Sequence, residues 1–274
     1  MSDRVALVTG CGKDRGIGAA AALALSGQVG AVAVADVAER GAPNLNEQPQ
    51  DMAESWRGLP GLVEQLTARG VKALAVHGDV SLEDDCRALV DEVIAAFGRI
   101  DVLVNNAAAP QAAEFNDIEN ITLTAWQRVI DVNLTGTFLM SRAVVPAMRR
   151  NQWGRIVNMS SIAGRSGSAK QSAYSASKAG IIGFSRSLAK DVARDGITVN
   201  AVCPGATDTS RAQSSARRSA ADIPEELARR AATIPVGRLG TAEDVAELVA
   251  FLAGERASFI TGQAYSVDGG VFAG

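Results

Sequence analysis

Tyr174 and Lys178 stand four positions apart in a segment of helical pattern spanning 172 to 195. That spacing puts both side chains on one face, one turn apart. A free phenol has a pKa of about 10 and is a poor base at neutral pH. A nearby ammonium favours the phenolate and lowers that pKa. A tyrosine so placed takes a proton from a hydroxyl or gives one to a carbonyl. The pair alone is a common exposed helix pattern, so its neighbours decide. Ser161 lies thirteen residues before Tyr174, just past the apolar run ending Val157-Asn158-Met159. A hydroxyl there is placed to hydrogen-bond a substrate oxygen. Asn133, in Asp131-Val132-Asn133-Leu134, sits in mid-helix, where asparagine is a mediocre helix former. A polar residue in an apolar helix points to a partner or a role.

A second group of residues suits a phosphate. Thr9-Gly10-Cys11-Gly12-Lys13-Asp14-Arg15-Gly16-Ile17-Gly18 follows the first apolar run and opens an alanine-rich helix. Glycines let the backbone turn tightly and approach a pyrophosphate, and the helix N-terminus supplies free N–H groups. Eighteen residues after Gly18, at the end of the second apolar run, comes Asp36. An acid there accepts hydrogen bonds from ribose hydroxyls and repels a 2′-phosphate, which favours NAD over NADP. Arg15 is the contrary signal, since a basic side chain near the ribose holds a 2′-phosphate. Asp36 carries more weight because Val37, not a basic residue, follows it. The cationic ring of an oxidised nicotinamide would also help to ionise Tyr174.

These residues need a scaffold that brings strand ends together. Short apolar runs recur at Val5–Val8, Val32–Ala35, Ala73–Val76, Val102–Val104, Ile156–Val157, Ile197–Val199 and Ala264–Val267. None shows polar alternation, as expected of strands buried on both faces of a parallel sheet. Between them lie helical patterns. Leu82, Cys86, Leu89, Val90, Val93, Ile94 and Phe97 share one face, and 124–149 reads as one long helix. Helix starts are expected at Ser81 with Asp84, at a capping box from Thr124 to Gln127, and at Thr241 with Asp244. The alternation predicts a doubly wound α/β fold in a single domain, 1–274. Two stretches break the rhythm. Residues 39–60, with Pro43, Asn44, Asn46, Pro49, Gly58 and Pro60, read as a loop insertion holding at most one helical piece. Residues 204–234 read as a mobile substrate lid, irregular over 204–223.

Composition excludes other chemistries. The 274 residues are 47% hydrophobic with a formal net charge of −3, which gives no pull toward nucleic acid or an anionic membrane. Three cysteines, at 11, 86 and 203, are no disulfide framework and fit a reducing compartment. One histidine, His77, cannot build a zinc site without a cluster of other ligands, so no metal is expected. No apolar run approaches the ~18 residues needed to span a bilayer, and no secretory signal opens the chain. The expected compartment is the cytoplasm.

Taken in order, these motifs resemble the short-chain dehydrogenase/reductase family. The resemblance runs from Val5 to Gly270 and rests on the loop Thr9–Gly18, Asp79-Val80, Asn105-Asn106-Ala107, Asn133, Ser161, Tyr174 with Lys178, Pro204-Gly205 and Val267-Asp268-Gly269-Gly270. It implies a Rossmann-type sheet of seven parallel strands, order 3-2-1-4-5-6-7, with helices on both faces. It implies that Tyr174 is the general acid/base and that Lys178 lowers its pKa and binds the nicotinamide ribose. Ser161 would position the substrate oxygen, and Asn133 would hold a relay water. Asp79 and Val80 would face adenine, with Asn106 on the adenosine side. Gly10, Arg15, Gly16, Ile17, Gly18, Asp36 and Val37 would hold the rest of the dinucleotide, and Thr207, after Pro204 and Gly205, the carboxamide. The long helices near 124–149 and 172–195 resemble those that build family dimers and tetramers.

Three departures stand out. Five residues separate Gly10 from Gly16, where the common form has three. Ala108 follows Asn105-Asn106-Ala107 in place of glycine. The 39–60 insertion starts beside the adenosine site and is expected to cover part of the cofactor and slow its exchange. The substrate pocket is expected among Ile162, Arg165, Gln171, Ala109, Pro110, Arg211 and Ile223. The leading functional reading is hydride transfer between NAD(H) and a secondary alcohol or ketone. An NADPH-dependent 3-oxoacyl thioester reductase is the alternative, supported by Arg15 and the arginines at 211, 217 and 218. A non-catalytic nicotinamide-binding regulator is a third, opposed by the presence of every named catalytic side chain.

Overall fold

The apolar runs pair as parallel strands. A computed structural model describes residues 3–48, 52–219 and 222–273. Within them β1 Val5–Thr9, β2 Ala31–Asp36, β3 Lys72–His77, β4 Val102–Asn105, β5 Gly154–Met159, β6 Ile197–Pro204 and β7 Ala264–Val267 form one sheet in the order β3-β2-β1-β4-β5-β6-β7. The helices are α1 Ile17–Leu25, α2 Gly58–Ala68, α3 Glu83–Phe97, α4 Leu123–Ile130, α5 Gly136–Asn151, α6 Ala163–Ser166, α7 Ser172–Val192, α8 Ser210–Ser219, α9 Ile223–Ala232 and α10 Ala242–Ala253.

Side chains alternate along each strand and fill two cores. Ala6, Val8, Val32, Val34, Val104 and Val202 face α1, α2 and α10. Val5, Leu7, Ala33, Leu103, Ile156 and Val199 face α3, α5 and α7. Both sheet faces are covered, which is why the runs carry no polar alternation. Strand order reverses direction from β1, toward β2 on one side and β4 on the other. The C-terminal ends of these two strands diverge there and leave a crevice, the usual ligand position in such sheets.

Local signals fare unevenly. Thr241 caps α10 in a complete capping box with Asp244. Thr124 does not cap α4: Thr122 does, its hydroxyl accepting the Ala125 N–H at 3.1 Å. Ser81 does not cap α3 either. Its N–H and hydroxyl both donate to Asp79, at 2.9 and 2.7 Å, and Leu82 takes the cap position. The single helix expected over 124–149 is broken by a π-turn at Asp131–Thr135. Such turns are rare and concentrate at functional sites. The stretch 204–223 is not irregular but carries α8 and the start of α9. Residues 39–48 and 52–57 form a strap without regular structure, followed by α2 from Gly58; Pro49 lies outside the described residues.

Candidate active site

One cleft of about 460 Å³ opens at the C-terminal ends of the strands. It reaches from Asp36 and Asp79 at one end, past Gly10, Gly16 and Ile17, to Ser161, Tyr174 and Lys178 at the other. Val37, Val80, Asn106, Pro204, Gly205 and Thr207 also line it. Of the site residues expected from sequence, only Arg15, Gly18 and Asn133 do not. Gly18 lies under the loop: a Cβ there would stand 2.4 Å from the Gly10 carbonyl, so the residue permits the helix to sit close to the turn. Arg15 has a left-handed φ of 50° and reaches away, to 3.9 Å from Asp208. Asn133 is fully buried behind the site.

The dinucleotide end is a cradle with an open helix terminus. Gly16 precedes α1 with no capping side chain, so the first N–H groups of α1 face the cleft. Asn106 fixes the turn, its amide donating to the Thr9 and Gly10 carbonyls at 3.0 and 2.9 Å. The Asp36 carboxylate accepts the Gly12 and Val37 N–H groups, each at 2.8 Å. Burial raises its pKa above the usual carboxylate value, and those two hydrogen bonds pull it back down. An open helix end, a carboxylate at the second strand and a glycine-rich turn fit a pyrophosphate and an adenosine ribose.

At the other end, α7 carries Tyr174 and Lys178 across from β5. The Lys178 ammonium donates to the Met159 carbonyl at 2.7 Å and lies 5.6 Å from the centre of the Tyr174 ring. Lys178 is 3% exposed. Burial holds its pKa down to about 7, helped by the positive charge of Arg211. The Ser161 hydroxyl accepts the Ala163 N–H at 3.1 Å, which leaves its O–H to donate into the cleft. Asn133 acts through others. Its carbonyl oxygen accepts the Ala109 N–H at 2.8 Å and its amide donates to the Ser177 hydroxyl at 2.9 Å. That hydroxyl donates in turn to the Tyr174 main-chain carbonyl at 2.7 Å. Asn133 thereby joins the π-turn to the helix bearing Tyr174.

Ile162, Pro110, Gln171 and Arg211 line the substrate end as expected, but Arg165, Ala109 and Ile223 do not. Arg165 turns to the Ser266 hydroxyl, at 3.0 Å, and stacks on Phe272. The lengthened loop is expected to bring Lys13, Asp14 or Arg15 to the phosphates, and Lys13 lines the cleft; Gly41, Ala42 and Asn44 of the insertion, not singled out individually from sequence, line it too. They belong to the loop and strap, whose contacts span long stretches of chain. Lys13 pairs with Glu47, Trp56 donates from its indole to the Gly12 carbonyl at 2.9 Å, and the Asn44 carbonyl oxygen accepts the Gln111 N–H at 3.0 Å.

Comparison with known proteins agrees with this geometry. Residues 56–272 match a family model described as enoyl-(acyl carrier protein) reductase. A 3-oxoacyl-[acyl-carrier-protein] reductase of Synechocystis is 38% identical, covering 99% of this chain and 98% of that protein. A cis-4-hydroxycyclohexanecarboxylate dehydrogenase of Sinomonas cyclohexanicum is 40% identical, covering 98% and 97%. A crystal structure of an actinorhodin polyketide ketoreductase variant with NADPH superposes with a TM-score of 0.86 at 35% identity, covering 98% of this chain and 97% of that one. Fold and site define a nicotinamide-dinucleotide oxidoreductase. The chain belongs to the short-chain dehydrogenase/reductase family and acts on CH–OH or carbonyl groups.

Proposed function

We propose that the protein interconverts a secondary alcohol and its ketone with NAD(H), with Tyr174 as general acid/base. The observation that supports this most is the meeting of Tyr174, Lys178 and Ser161 at one end of a cleft whose other end is a dinucleotide cradle. A bound nicotinamide would supply the hydride acceptor for the alcohol carbon and, when reduced, the hydride donor for a carbonyl. Ser161 donates a hydrogen bond to the substrate oxygen and fixes it beside the phenol. Tyr174 takes the hydroxyl proton in oxidation and gives it back in reduction. Lys178 would bind the ribose. The side-chain amide of Asn133 is committed to Ala109 and Ser177, and its main-chain carbonyl accepts the Thr137 hydroxyl at 2.7 Å, so in this reading a relay water takes the second lone pair of that carbonyl.

Asp36 supports NAD over NADP. Its carboxylate lines the adenosine end, Val37 follows it, and the nearby Lys13 is neutralised by Glu47. Arg15, the residue that argued for NADP, reaches toward Asp208 instead. NADPH-dependent reduction of a 3-oxoacyl thioester is the second reading, favoured by the names of the relatives and by the NADPH in the ketoreductase structure. The chain is read as a homo-oligomer, dimer or tetramer, of the cytoplasm, where its three buried free thiols stay reduced.

A panel of secondary alcohols, ketones and 3-oxoacyl thioesters, followed by nicotinamide absorbance, tests the reaction. Wild type should turn over alcohols with NAD, and Tyr174→Phe should lose about 10²-fold or more in kcat. Near-normal activity of that variant would sink the mechanism. A kcat/KM favouring NADP, unaffected by Asp36→Ala, would overturn the cofactor assignment.

A further inference from the structure

The Tyr174 end of the cleft holds a cation with no answering acid. The carboxylates lining the cleft, Asp36 and Asp79, both lie at the adenosine end. Around Tyr174 the charged lining residues are Lys178, Arg128, Arg211 and Arg230. Arg230 is answered by Glu226, at 2.7 Å, and Arg128 is exposed at the rim. Arg211 differs from both. Its guanidinium lies 5.1 Å from the centre of the Tyr174 ring and donates one hydrogen bond, to the Ala109 carbonyl at 2.9 Å. No ion pair to Arg211 occurs among the described residues. A guanidinium carries five N–H donors in a planar fork, and one carbonyl leaves most of them unused.

This is a costly arrangement unless an anion completes it. Arg211 is half-buried, and its charge is one reason the Lys178 ammonium is driven toward neutrality. Two neighbouring cations in a partly dry cleft repel, and a carboxylate between them and solvent would relieve the repulsion. The other arginines of the same segment make their contacts elsewhere, with the Arg218 Nε and Nη1 groups buried and without a hydrogen-bond partner. Arg217 donates to the Asn46 carbonyl at 3.0 Å, and Arg218 to the Gln111 side chain at 2.7 Å while stacking on Phe115. They brace α8 against the strap and the 109–115 loop. That bracing holds Arg211, at the start of the same helix, over the reacting tyrosine.

We infer that the substrate is a hydroxy- or oxo-carboxylate whose carboxylate docks on Arg211 in a fork while its hydroxyl or keto oxygen meets Ser161 and Tyr174. The inference rests on the dehydrogenase reading above and narrows its substrate class. Arg211 sits on α8 and Tyr174 on α7, so the spacing between carboxylate and carbinol becomes the specificity ruler. A planar guanidinium also explains why lysine would be a poor substitute: it offers a point charge and no paired donors.

The test is a ladder of 3-hydroxybutyrate, 4-hydroxypentanoate and 5-hydroxyhexanoate, each beside its methyl ester, assayed with NAD. Wild type should prefer at least one acid over its ester by about 10-fold or more in kcat/KM, the scale of a charged hydrogen-bonded pair. In Arg211→Gln that acid-to-ester ratio should collapse toward one, chiefly through KM, and Arg211→Lys should restore part of it. Equal use of acids and esters by wild type would overturn the inference and leave the dehydrogenase reading intact. So would an Arg211→Gln variant whose defect lies in the KM for NAD and not in the acid-to-ester ratio. If nothing turns over, calorimetric titration of the acids into NAD-loaded protein decides separately. Binding lost in Arg211→Gln supports the carboxylate site, and the missing turnover then counts against the dehydrogenase reading on which the substrate assignment rests; no binding, or binding that Arg211→Gln leaves unchanged, overturns the inference.

Discussion

At the scale of single residues, Lys178 has the most unusual environment. Its folded pKa of about 7 lies well below the ordinary lysine value, with burial as the main cause. The sign follows directly. Between pH 7 and 10 the unfolded chain holds a proton that the folded chain has released, so stability rises with pH across that window. Below pH 7 both states are charged, and the folded state bears the full cost of a buried ammonium. The slope approaches about 1.4 kcal/mol per pH unit for one group. Ligand-free protein should therefore gain several degrees in Tm from pH 7 to 9 relative to Lys178→Met, which lacks the titrating group. Parallel Tm curves for the two proteins would show that Lys178 titrates normally. Arg211 enters here too, since removing its charge should move the midpoint of this rise upward.

At the scale of elements, the strap over 39–48 and 52–57 lengthens the connection between β2 and β3. It touches the phosphate loop at three successive residues: Gly12 through Trp56, Lys13 through Glu47, and Asp14, whose carboxylate accepts the Ala53 N–H at 2.8 Å. At Gly12 the approach is so close that a Cβ would stand 2.3 Å from the Gly41 nitrogen. The two extra residues of the loop and the strap thus form one unit, and that unit borders the cleft through Gly41, Ala42 and Asn44. We expect it to slow cofactor exchange. Trp56→Phe, which keeps the ring but loses the indole bond, should cost about 1 kcal/mol of stability and speed NAD release several-fold in stopped flow. Asn44→Ala should act in the same direction by freeing the Gln111 contact. Unchanged release rates in both variants would leave the strap with no part in exchange.

These contacts also show where sequence reading stops. Buried strands were legible because burial on both faces leaves a simple apolar run, as in Val5–Val8. Tyr174, Lys178 and Ser161 were legible because local spacing and order along the chain survive into the cleft. The cap of α4 was misplaced by two residues because Thr122 and Thr124 carry the same hydroxyl, and only backbone direction distinguishes them. The π-turn at Asp131–Thr135 has no composition of its own. Lys13–Glu47 and Trp56–Gly12 join residues more than thirty positions apart. Arg211 was legible as a pocket residue and as one of three lid arginines, but its separation from Arg217 and Arg218 depends on which face of α8 each occupies.

At the scale of the whole molecule, two apolar surfaces remain uncovered by the chain itself. On one side Phe138 of α5 and Phe184 of α7 meet edge to face at 6.2 Å, and Phe138 is 41% exposed. Elsewhere Phe251 of α10 is 37% exposed and Phe259 fully exposed, and β7 is an edge strand of the sheet. An open strand edge and exposed phenylalanines are costly in water and invite a second copy. Two separate self-complementary patches on one chain generate a closed tetramer with two kinds of two-fold contact. Each contact can then be broken alone. Sedimentation should give a tetramer for wild type, a dimer for Phe138→Glu and a dimer for Phe259→Glu. The double variant should sediment as a monomer. The cleft is built from one chain's residues, so the dimers should still bind NAD, which separates loss of assembly from loss of folding. If both single variants keep the wild-type mass, neither patch is an interface.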